Sequence, residues 1–225
     1  MAKKSKQSAP ETQGGSNTIW LATTAVLLIT AVAVVAFVMF GQTDETQSID
    51  NTTVSLQEND THVMGNPDAL NTLVVYSDFG CIHCANLHPL IVRFVEEHGE
   101  DYNYEIAHFP INNNVFSRMA AAAAYAAGRQ GKYWEMVDVL YVTVDRWRSE
   151  NGLAEIEQIA AEVGLDTEQF MTDLNDQELM YNIVNKYFAA SEMGIRSTPS
   201  LFLNGERLAH TVVYEDLVDR IIENS

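Results

Sequence analysis

The chain has 225 residues and carries 31 Asp and Glu against 13 Lys and Arg, which gives a formal net charge of −18. An excess of acid this large excludes nucleic acid as a natural partner and disfavours anionic lipid head groups, because both carry the same sign of charge. A well-solvated surface accounts for the charge, and adaptation to a saline habitat would also produce it.

An uncharged apolar stretch, residues 19–40, dominates the N-terminal part of the chain. Its 22 positions would span roughly 33 Å as a helix, which is enough to cross a bilayer. It is longer than a secretory h-region, and no convincing cleavage site follows it. Lys3, Lys4 and Lys6 precede it, so the positive-inside rule places the N-terminus in the cytoplasm. We therefore expect an uncleaved signal-anchor in the cell membrane and an extracytoplasmic domain, where thiols can stay oxidised.

Polar segments on both sides of this stretch divide the chain. Residues 1–18 are predicted to form a disordered cytoplasmic tail, and residues 41–51 are predicted to form a linker. The remainder, residues 52–225, is long enough for one domain with a sizeable core.

Hydrophobic patterning within that domain predicts strands and one helix in its first half. Residues 52–56 are a candidate edge strand, and the apolar run at 73–77 is a candidate buried strand. A helix is predicted over 81–97 with Pro89 as a kink, and a second strong strand over 102–109.

The second half of the domain is predicted to begin with a run of helices. Five stretches have helical periodicity: 115–127, 133–147, 155–163, 167–174 and 177–193. Strands at 200–203 and 207–210 then flank an Asn204–Gly205 hairpin turn, and a helix over 214–222 closes the domain. The order predicts a thioredoxin-like α/β fold with a helical insertion, at about 113–194, between the second strand and the C-terminal hairpin.

The chain has two cysteines, Cys81 and Cys84, and both stand at the start of the first predicted helix. C-x-x-C spacing lets the sulfurs close a small disulfide where free backbone N–H groups and the helix dipole stabilise a thiolate. Cys81 is the candidate nucleophile and Cys84 the candidate resolving thiol, while His83 favours the charged sulfur. The disulfide is then the redox centre, and neither a separate cofactor nor a metal is expected.

A zinc site and a structural disulfide both fit the motif less well. Zinc normally takes four side-chain ligands, and no second cysteine pair exists to supply them. A structural disulfide across a two-residue gap would constrain the unfolded chain very little. The remaining histidines are scattered and are expected to be structural or solvated; they are His62, His88, His98, His108 and His210. Four aromatic residues have spacings that suit a core, with a peptide groove as the alternative: Tyr133, Trp134, Tyr141 and Trp147.

A proline at the mouth of the hairpin strand, Pro199, is the second candidate element of the site. It cannot donate a ladder hydrogen bond there, and a cis peptide would make a tight entry to the strand. Together with the C-x-x-C motif it predicts a cis Thr198–Pro199 bond in a loop that faces the redox pair. A trans proline at a strand boundary is the simpler alternative.

Four stretches of the sequence carry a family resemblance: 77–84, 108–110, 131–136 and 198–205. They resemble the corresponding stretches of membrane-anchored DsbA-like thiol:disulfide oxidoreductases of the thioredoxin-like superfamily. The resemblance implies that Cys81 attacks, that Cys84 resolves and that His83 tunes the thiolate. It also implies that Thr198 and Pro199 shape the substrate-binding groove.

The resemblance further implies an enzyme that donates its disulfide to cysteine pairs of exported proteins. A quinone-linked membrane protein of the DsbB or vitamin K epoxide reductase type would then reoxidise it. The nearest alternative is a disulfide reductase or isomerase of the same fold. A non-enzymatic carrier that holds copper on Cys81, Cys84 and a histidine is a more distant one.

Two positions depart from the family pattern. Ile82 stands where the familiar DsbA sequence has proline, so the stiffening proline is lost and the redox potential does not follow from the resemblance. Val75 stands where many relatives carry a buried carboxylate, so the sequence names no acid for the proton of Cys84. Asp78 is expected to be a capping or turn residue, with proton transfer as the alternative.

Overall fold

The computed structural model describes residues 62–209 and 213–225. The predicted tail, membrane span, linker, edge strand at 52–56 and His210 lie outside these ranges. Of the helices inside them, none is both long and apolar enough to cross a membrane.

A five-stranded sheet with the strand order β1-β3-β2-β4-β5 forms the centre of the domain. The strands are β1 (Met64–Gly65), β2 (Asn71–Ser77), β3 (Tyr102–His108), β4 (Ser200–Leu203) and β5 (Glu206–Leu208). β2 pairs in parallel with β3, and its last residue, Ser77, lies opposite His108. β2 pairs antiparallel with β4, where Tyr76 lies opposite Ser200. The ends of β2 and β3 and the start of β4 therefore meet at one edge of the sheet.

Eight helices occupy the described ranges. They are α1 (Ile82–His98), α2 (Val115–Gly128), α3 (Tyr133–Val142), α4 (Val144–Trp147), α5 (Gly152–Val163), α6 (Thr167–Leu174), α7 (Gln177–Glu192) and α8 (Tyr214–Glu223). α1 crosses between the parallel strands, and α2 to α7 stand between β3 and the hairpin. The predicted thioredoxin-like order with a helical insertion is confirmed.

Two details of the prediction are wrong. The single helix predicted over 133–147 is two helices, because the backbone leaves helical geometry at Thr143, whose hydroxyl donates to the Val139 carbonyl at 2.7 Å. Side chains of this type compete with the helical ladder by bonding to a carbonyl one turn back. β1 and a short 3₁₀ turn at Ile111–Asn113 were also not predicted, since two or three residues carry no periodic signal.

The predicted hairpin turn is present between β4 and β5. Asn204 and Gly205 both have positive φ, at 52° and 85°. Two-residue hairpin turns of the primed type require this conformation, and Asn-Gly adopts it readily.

Side chains of the sheet alternate between two apolar layers, as the pleat dictates. One layer packs the sheet against α1, α8 and most of the insertion, through residues such as Leu73, Val75, Tyr104, Leu201 and Leu217. The other layer is smaller and lies against α7, where Tyr76 and Phe202 meet Phe109, Tyr187 and Ile195. Both faces of the sheet are thus covered, and the edge carrying the strand ends is left for the site.

Helix α2 lies at the centre of the insertion, and its small side chains let the other helices pack closely against it. Six alanines between Ala120 and Ala126 and their neighbour Ala127 are at most 1% exposed. α3, α6 and α7 all contact this helix. Neighbouring backbones can approach an alanine face closely, and close-packed interiors leave no room for added methylene groups.

Replacing Ala123 by Leu should therefore destabilise the domain through overpacking. We expect the free energy of unfolding of the full chain to fall by about 1–3 kcal/mol, measured as a lower urea midpoint. Val115→Leu on the same helix is the matched control, since Val115 is 58% exposed and should tolerate the change. Equal midpoints for the two variants would contradict the central position of α2.

Candidate active site

Cys81 occupies the N-cap of α1, with the extended backbone angles φ −97° and ψ 115°. Its N–H donates to the Asp78 carbonyl at 3.0 Å, and its own carbonyl accepts the N–H groups of Cys84 and Ala85 at 3.0 and 3.1 Å. The sulfur is partly exposed, whereas Cys84 is only 1% exposed. The predicted placement of the two thiols, one accessible and one shielded a turn later, is confirmed.

The loop before β4 lies against this thiol. The Thr198–Pro199 peptide bond is cis, and the Cys81 sulfur lies 3.5 Å from the Thr198 carbonyl oxygen. Sheet pairing begins only at Ser200, opposite Tyr76. The prediction of a cis bond in a loop packed against Cys81 is therefore confirmed.

The surroundings of Cys81 lower its pKa to about 5. The largest cause is a hydrogen bond from the Cys84 thiol to the Cys81 sulfur, and partial burial opposes it. Thr198 and the backbone N–H groups of Cys84 and His83 add smaller stabilising contributions. The Thr198 hydroxyl is buried and has no hydrogen-bond partner of good geometry among the described residues, yet it lies close enough to favour the charged sulfur.

The pKa of Cys84 moves in the opposite direction. The hydrogen bond that the Cys84 thiol donates to the Cys81 sulfur raises the Cys84 pKa most, and burial raises this pKa further. At neutral pH the reduced pair therefore holds one thiolate and one thiol, with the charge on the accessible sulfur. This division suits Cys81 to attack and Cys84 to resolve.

His83 sits beside the sulfurs in sequence, but its side chain points outward and is exposed. What acts on the Cys81 sulfur is the backbone N–H of His83. The exposed imidazole lies in solvent, which weakens any electrostatic effect that it has on the sulfur. Its expected role as a tuning residue stays a prediction.

Asp78 is a turn residue, as favoured from the sequence. One carboxylate oxygen accepts the Gly80 N–H at 2.7 Å and the other accepts the Ile111 N–H at 2.8 Å. The residue is 6% exposed. Its carboxylate thus fastens the loop before α1 to the segment after β3, which fixes where the helix begins.

Three residues near the sulfurs were missed by sequence reasoning as site residues. Ser77 lies beside Cys84, and its hydroxyl is 2.6 Å from the hydroxyl of Tyr141, which comes from the insertion. Arg148, also from the insertion, donates to the Gly80 carbonyl at 3.4 Å. A polar residue at the end of β2 could have marked Ser77, whereas nothing local in the sequence connects Tyr141 or Arg148 to the cysteines.

No metal-ligand cluster occurs within residues 62–209 and 213–225: no three His, Cys, Asp or Glu side chains there come close enough to hold an ion.

The side chains of two histidines form hydrogen bonds within the domain. His88 contacts Tyr104 and Asp138, and His108 contacts Tyr133 at 2.8 Å. Burial lowers the pKa of His108 to about 3, so this imidazole is neutral at physiological pH.

Alkylation should separate the two thiols. In the reduced full chain, iodoacetamide should label Cys81 at neutral pH and leave Cys84 unreacted. The labelling rate should rise with pH, with a midpoint at a pH of about 5, because only the thiolate reacts. Faster labelling of Cys84, identified by peptide mass, would show that the roles are reversed.

A second variant tests the cause of the lowered pKa. Cys84→Ala removes the hydrogen bond that contributes most to the stability of the Cys81 thiolate. We expect the thiolate absorbance near 240 nm to titrate at a clearly higher pH in this variant. Ala85→Gly at the neighbouring position should leave the titration unchanged.

A thioredoxin family model matches residues 57–224 of the chain. Among curated proteins, the Na(+)/H(+) antiporter NhaA of Herminiimonas arsenicoxydans is 31% identical over 147 residues, which are 65% of this chain and 23% of that protein. Na(+)/H(+) antiporter NhaA 1 of Mycolicibacterium gilvum is 33% identical over 153 residues, 65% of this chain and 24% of that protein. The chain spans about a quarter of the length of these curated relatives.

Solved structures give a consistent picture of the fold. A thioredoxin-like oxidoreductase from Silicibacter pomeroyi is 27% identical, with a TM-score of 0.63 over 73% of this chain and 92% of that one. α-DsbA1 from Wolbachia pipientis is 23% identical, with a TM-score of 0.59 over 73% and 94%. Oxidised BdbD from Bacillus subtilis is 17% identical, with a TM-score of 0.61 over 73% and 92%. The last two likenesses concern the fold alone.

The family model covers the sheet, the cysteine pair, the insertion and the cis-proline loop together, and the solved structures share the fold. The chain belongs to the thioredoxin family and has the DsbA-like form of its fold.

Proposed function

We propose that the chain is an extracytoplasmic thiol:disulfide oxidoreductase that donates the Cys81–Cys84 disulfide to exported proteins. A substrate thiolate attacks the sulfur of Cys81, and the electrons of the broken bond leave with Cys84. The second substrate thiolate then attacks the substrate sulfur of the mixed disulfide. The substrate gains a disulfide, and the enzyme is left with two reduced cysteines.

The proposal rests on one observation: the environment lowers the pKa of one sulfur and raises that of the other. Cys81 is accessible and has a pKa of about 5, while Cys84 is buried and has a raised pKa. A thiolate stabilised at neutral pH lowers the free energy of the reduced enzyme relative to the disulfide. The disulfide form is then an oxidant, which favours donation over reduction.

Substrate would bind along the loop that holds Thr198 and Pro199. The carbonyl of Thr198 faces the Cys81 sulfur, and the ladder starts only two residues later, at Ser200. An extended peptide could therefore pair with the Thr198 backbone while its cysteine reaches Cys81. Main-chain pairing of this kind is independent of side chains and suits an enzyme with varied substrates.

The apolar stretch at 19–40 and the lysines before it support a location in the cell membrane, with the N-terminus in the cytoplasm. The stretch matched in the curated relatives lies within proteins named Na(+)/H(+) antiporters, which fits a thioredoxin domain working beside a membrane. Repeated turnover needs an electron acceptor, for which a quinone-linked membrane protein of the DsbB or vitamin K epoxide reductase type is our candidate.

The alternatives receive less support. A reductase or isomerase would need the same exchange chemistry, but a lowered Cys81 pKa works against strong reducing power. A copper carrier would need a histidine beside the cysteines, and the part of the chain that the structure describes brings no third ligand to them.

The Cys84→Ser variant of the full chain tests the function. Without the resolving thiol, mixed disulfides between Cys81 and exported proteins should accumulate and be visible on non-reducing gels of membrane fractions. Cys81→Ser is the matched control and should trap none. Equal patterns in the two variants would contradict disulfide exchange as the function.

The His83→Ala variant tests the tuning role of the imidazole. An exposed charge near the thiolate contributes roughly 1 kcal/mol, and about 30 mV corresponds to roughly 1.4 kcal/mol for a two-electron couple. We expect the pair to become less oxidising by about 20 mV in glutathione buffers. An unchanged potential in a folded protein would mean that the imidazole has no part in stabilising the thiolate, which the Cys84 thiol, Thr198 and the backbone N–H groups then stabilise without it.

A further inference from the structure

Cys84 needs a proton each time the disulfide opens. When a substrate thiolate attacks Cys81, Cys84 departs as a buried thiolate, a form that its raised pKa disfavours. Until that sulfur gains a proton it can attack Cys81 again and expel the substrate. Val75 provides no acid at its position in β2, so the proton must come from elsewhere.

The hydroxyl group of Ser77 lies next to Cys84, and that of Tyr141 lies next to Ser77. The Ser77 side chain interacts with the Cys84 sulfur and lies 2.6 Å from the Tyr141 hydroxyl. The serine is 1% exposed and the tyrosine 6%. The charge of Cys84 also raises the pKa of Tyr141 and of Tyr104, and both tyrosines are buried.

A second set of hydrogen bonds leads from these buried residues to the surface. His88 lies four residues after Cys84, so both side chains face the same side of α1. Its Nδ1 is 3.1 Å from the Tyr104 hydroxyl, and its Nε2 is 2.9 Å from a carboxylate oxygen of Asp138. His88 is 5% exposed, while Asp138 is 65% exposed. The imidazole thus joins a buried hydroxyl to a carboxylate in contact with water.

The two sets of hydrogen-bonded residues meet where the rings of His88 and Tyr141 pack, with centroids 5.0 Å apart. Hydroxyl groups can donate and accept in turn, and a neutral imidazole does the same through its two nitrogens. This contact is between rings and is not a hydrogen bond, so one water must bridge it for a proton to cross.

We propose that Cys84 exchanges its proton with solvent through Ser77 and Tyr141, and then through Tyr104, His88 and Asp138. In disulfide donation, the bond between the sulfurs of Cys81 and Cys84 breaks and one forms between Cys81 and the substrate. Cys84 receives the electron pair of the broken bond, and the relay delivers one proton from water to it. Reoxidation runs the relay outward. The inference rests on the proposed exchange function and names how its leaving sulfur is protonated.

Asp78 is the competing proton donor. It also lies near the cysteines, but both of its oxygens hold backbone N–H groups of the loop. A protonated Asp78 would lose part of this turn. The relay needs no such rearrangement, because Asp138 is already at the surface.

Reduction of the disulfide form of the full chain by dithiothreitol tests the relay. His88→Gln keeps a polar side chain without a titrating ring, and Tyr141→Phe removes one hydroxyl. Each should slow the formation of free Cys84 thiol by roughly tenfold or more, measured by acid quenching and alkylation. Each should also change the solvent deuterium isotope effect on that step. The thiolate titration of Cys81 should stay near its original midpoint.

His98→Gln is the matched control, since His98 ends the same helix and its ring packs against Phe94 in a tilted arrangement. It should react like the unsubstituted chain. If His88→Gln and Tyr141→Phe both kept the original rate and isotope effect, the relay would be wrong. It would also be wrong if Asp78→Asn alone abolished the isotope effect. Because dithiothreitol replaces the protein substrate, failure of Cys84→Ser to trap exported proteins would contradict the proposed function alone.

Discussion

The parallel pairing of β2 with β3, with β4 antiparallel on the other side of β2, is the constraint on which the site depends. It brings the end of β2, the end of β3 and the start of β4 to one edge of the sheet. The cysteine helix leaves from the first of these and the cis-proline loop enters the last. Asp78 then fastens the loop after β2 to the segment after β3. Without that shared edge, residues 117 positions apart could not form the contact between Cys81 and Thr198.

Environment makes two identical side chains chemically different. Cys81 stands at a helix N-cap with backbone N–H groups around its sulfur, and Cys84 lies one turn deeper among apolar and aromatic residues. The hydrogen bond between the thiols acts with opposite sign on the two pKa values, so each sulfur reinforces the role of the other. Burial adds to the difference, because it disfavours a charge on Cys84 more than on Cys81.

The insertion does more than cover the sheet. Its alanine-rich helix α2 lets the other helices pack closely, and α3 carries Tyr141 and Asp138 up to the cysteine helix. Arg148, just after α4, reaches the loop before Cys81. The insertion thus supplies residues near the cysteine pair, in addition to those from β2 and the loop after it, and changes in the insertion can alter the environment of the pair while the sheet stays the same.

The sequence alone specifies the order of strands and helices, the hairpin turn and the redox motif. Apolar periodicity, Asn204–Gly205 and the C-x-x-C spacing are all encoded within a few neighbouring residues. It could not supply the break at Thr143, which depends on one side-chain hydrogen bond, or the outward position of the His83 ring. The position of Tyr141 beside Ser77, and of Tyr104 and Asp138 beside His88, depends on the tertiary structure, because α3 and β3 reach these residues only through packing. Local patterns specify elements, whereas the protonation of a buried sulfur depends on contacts between residues far apart in the chain.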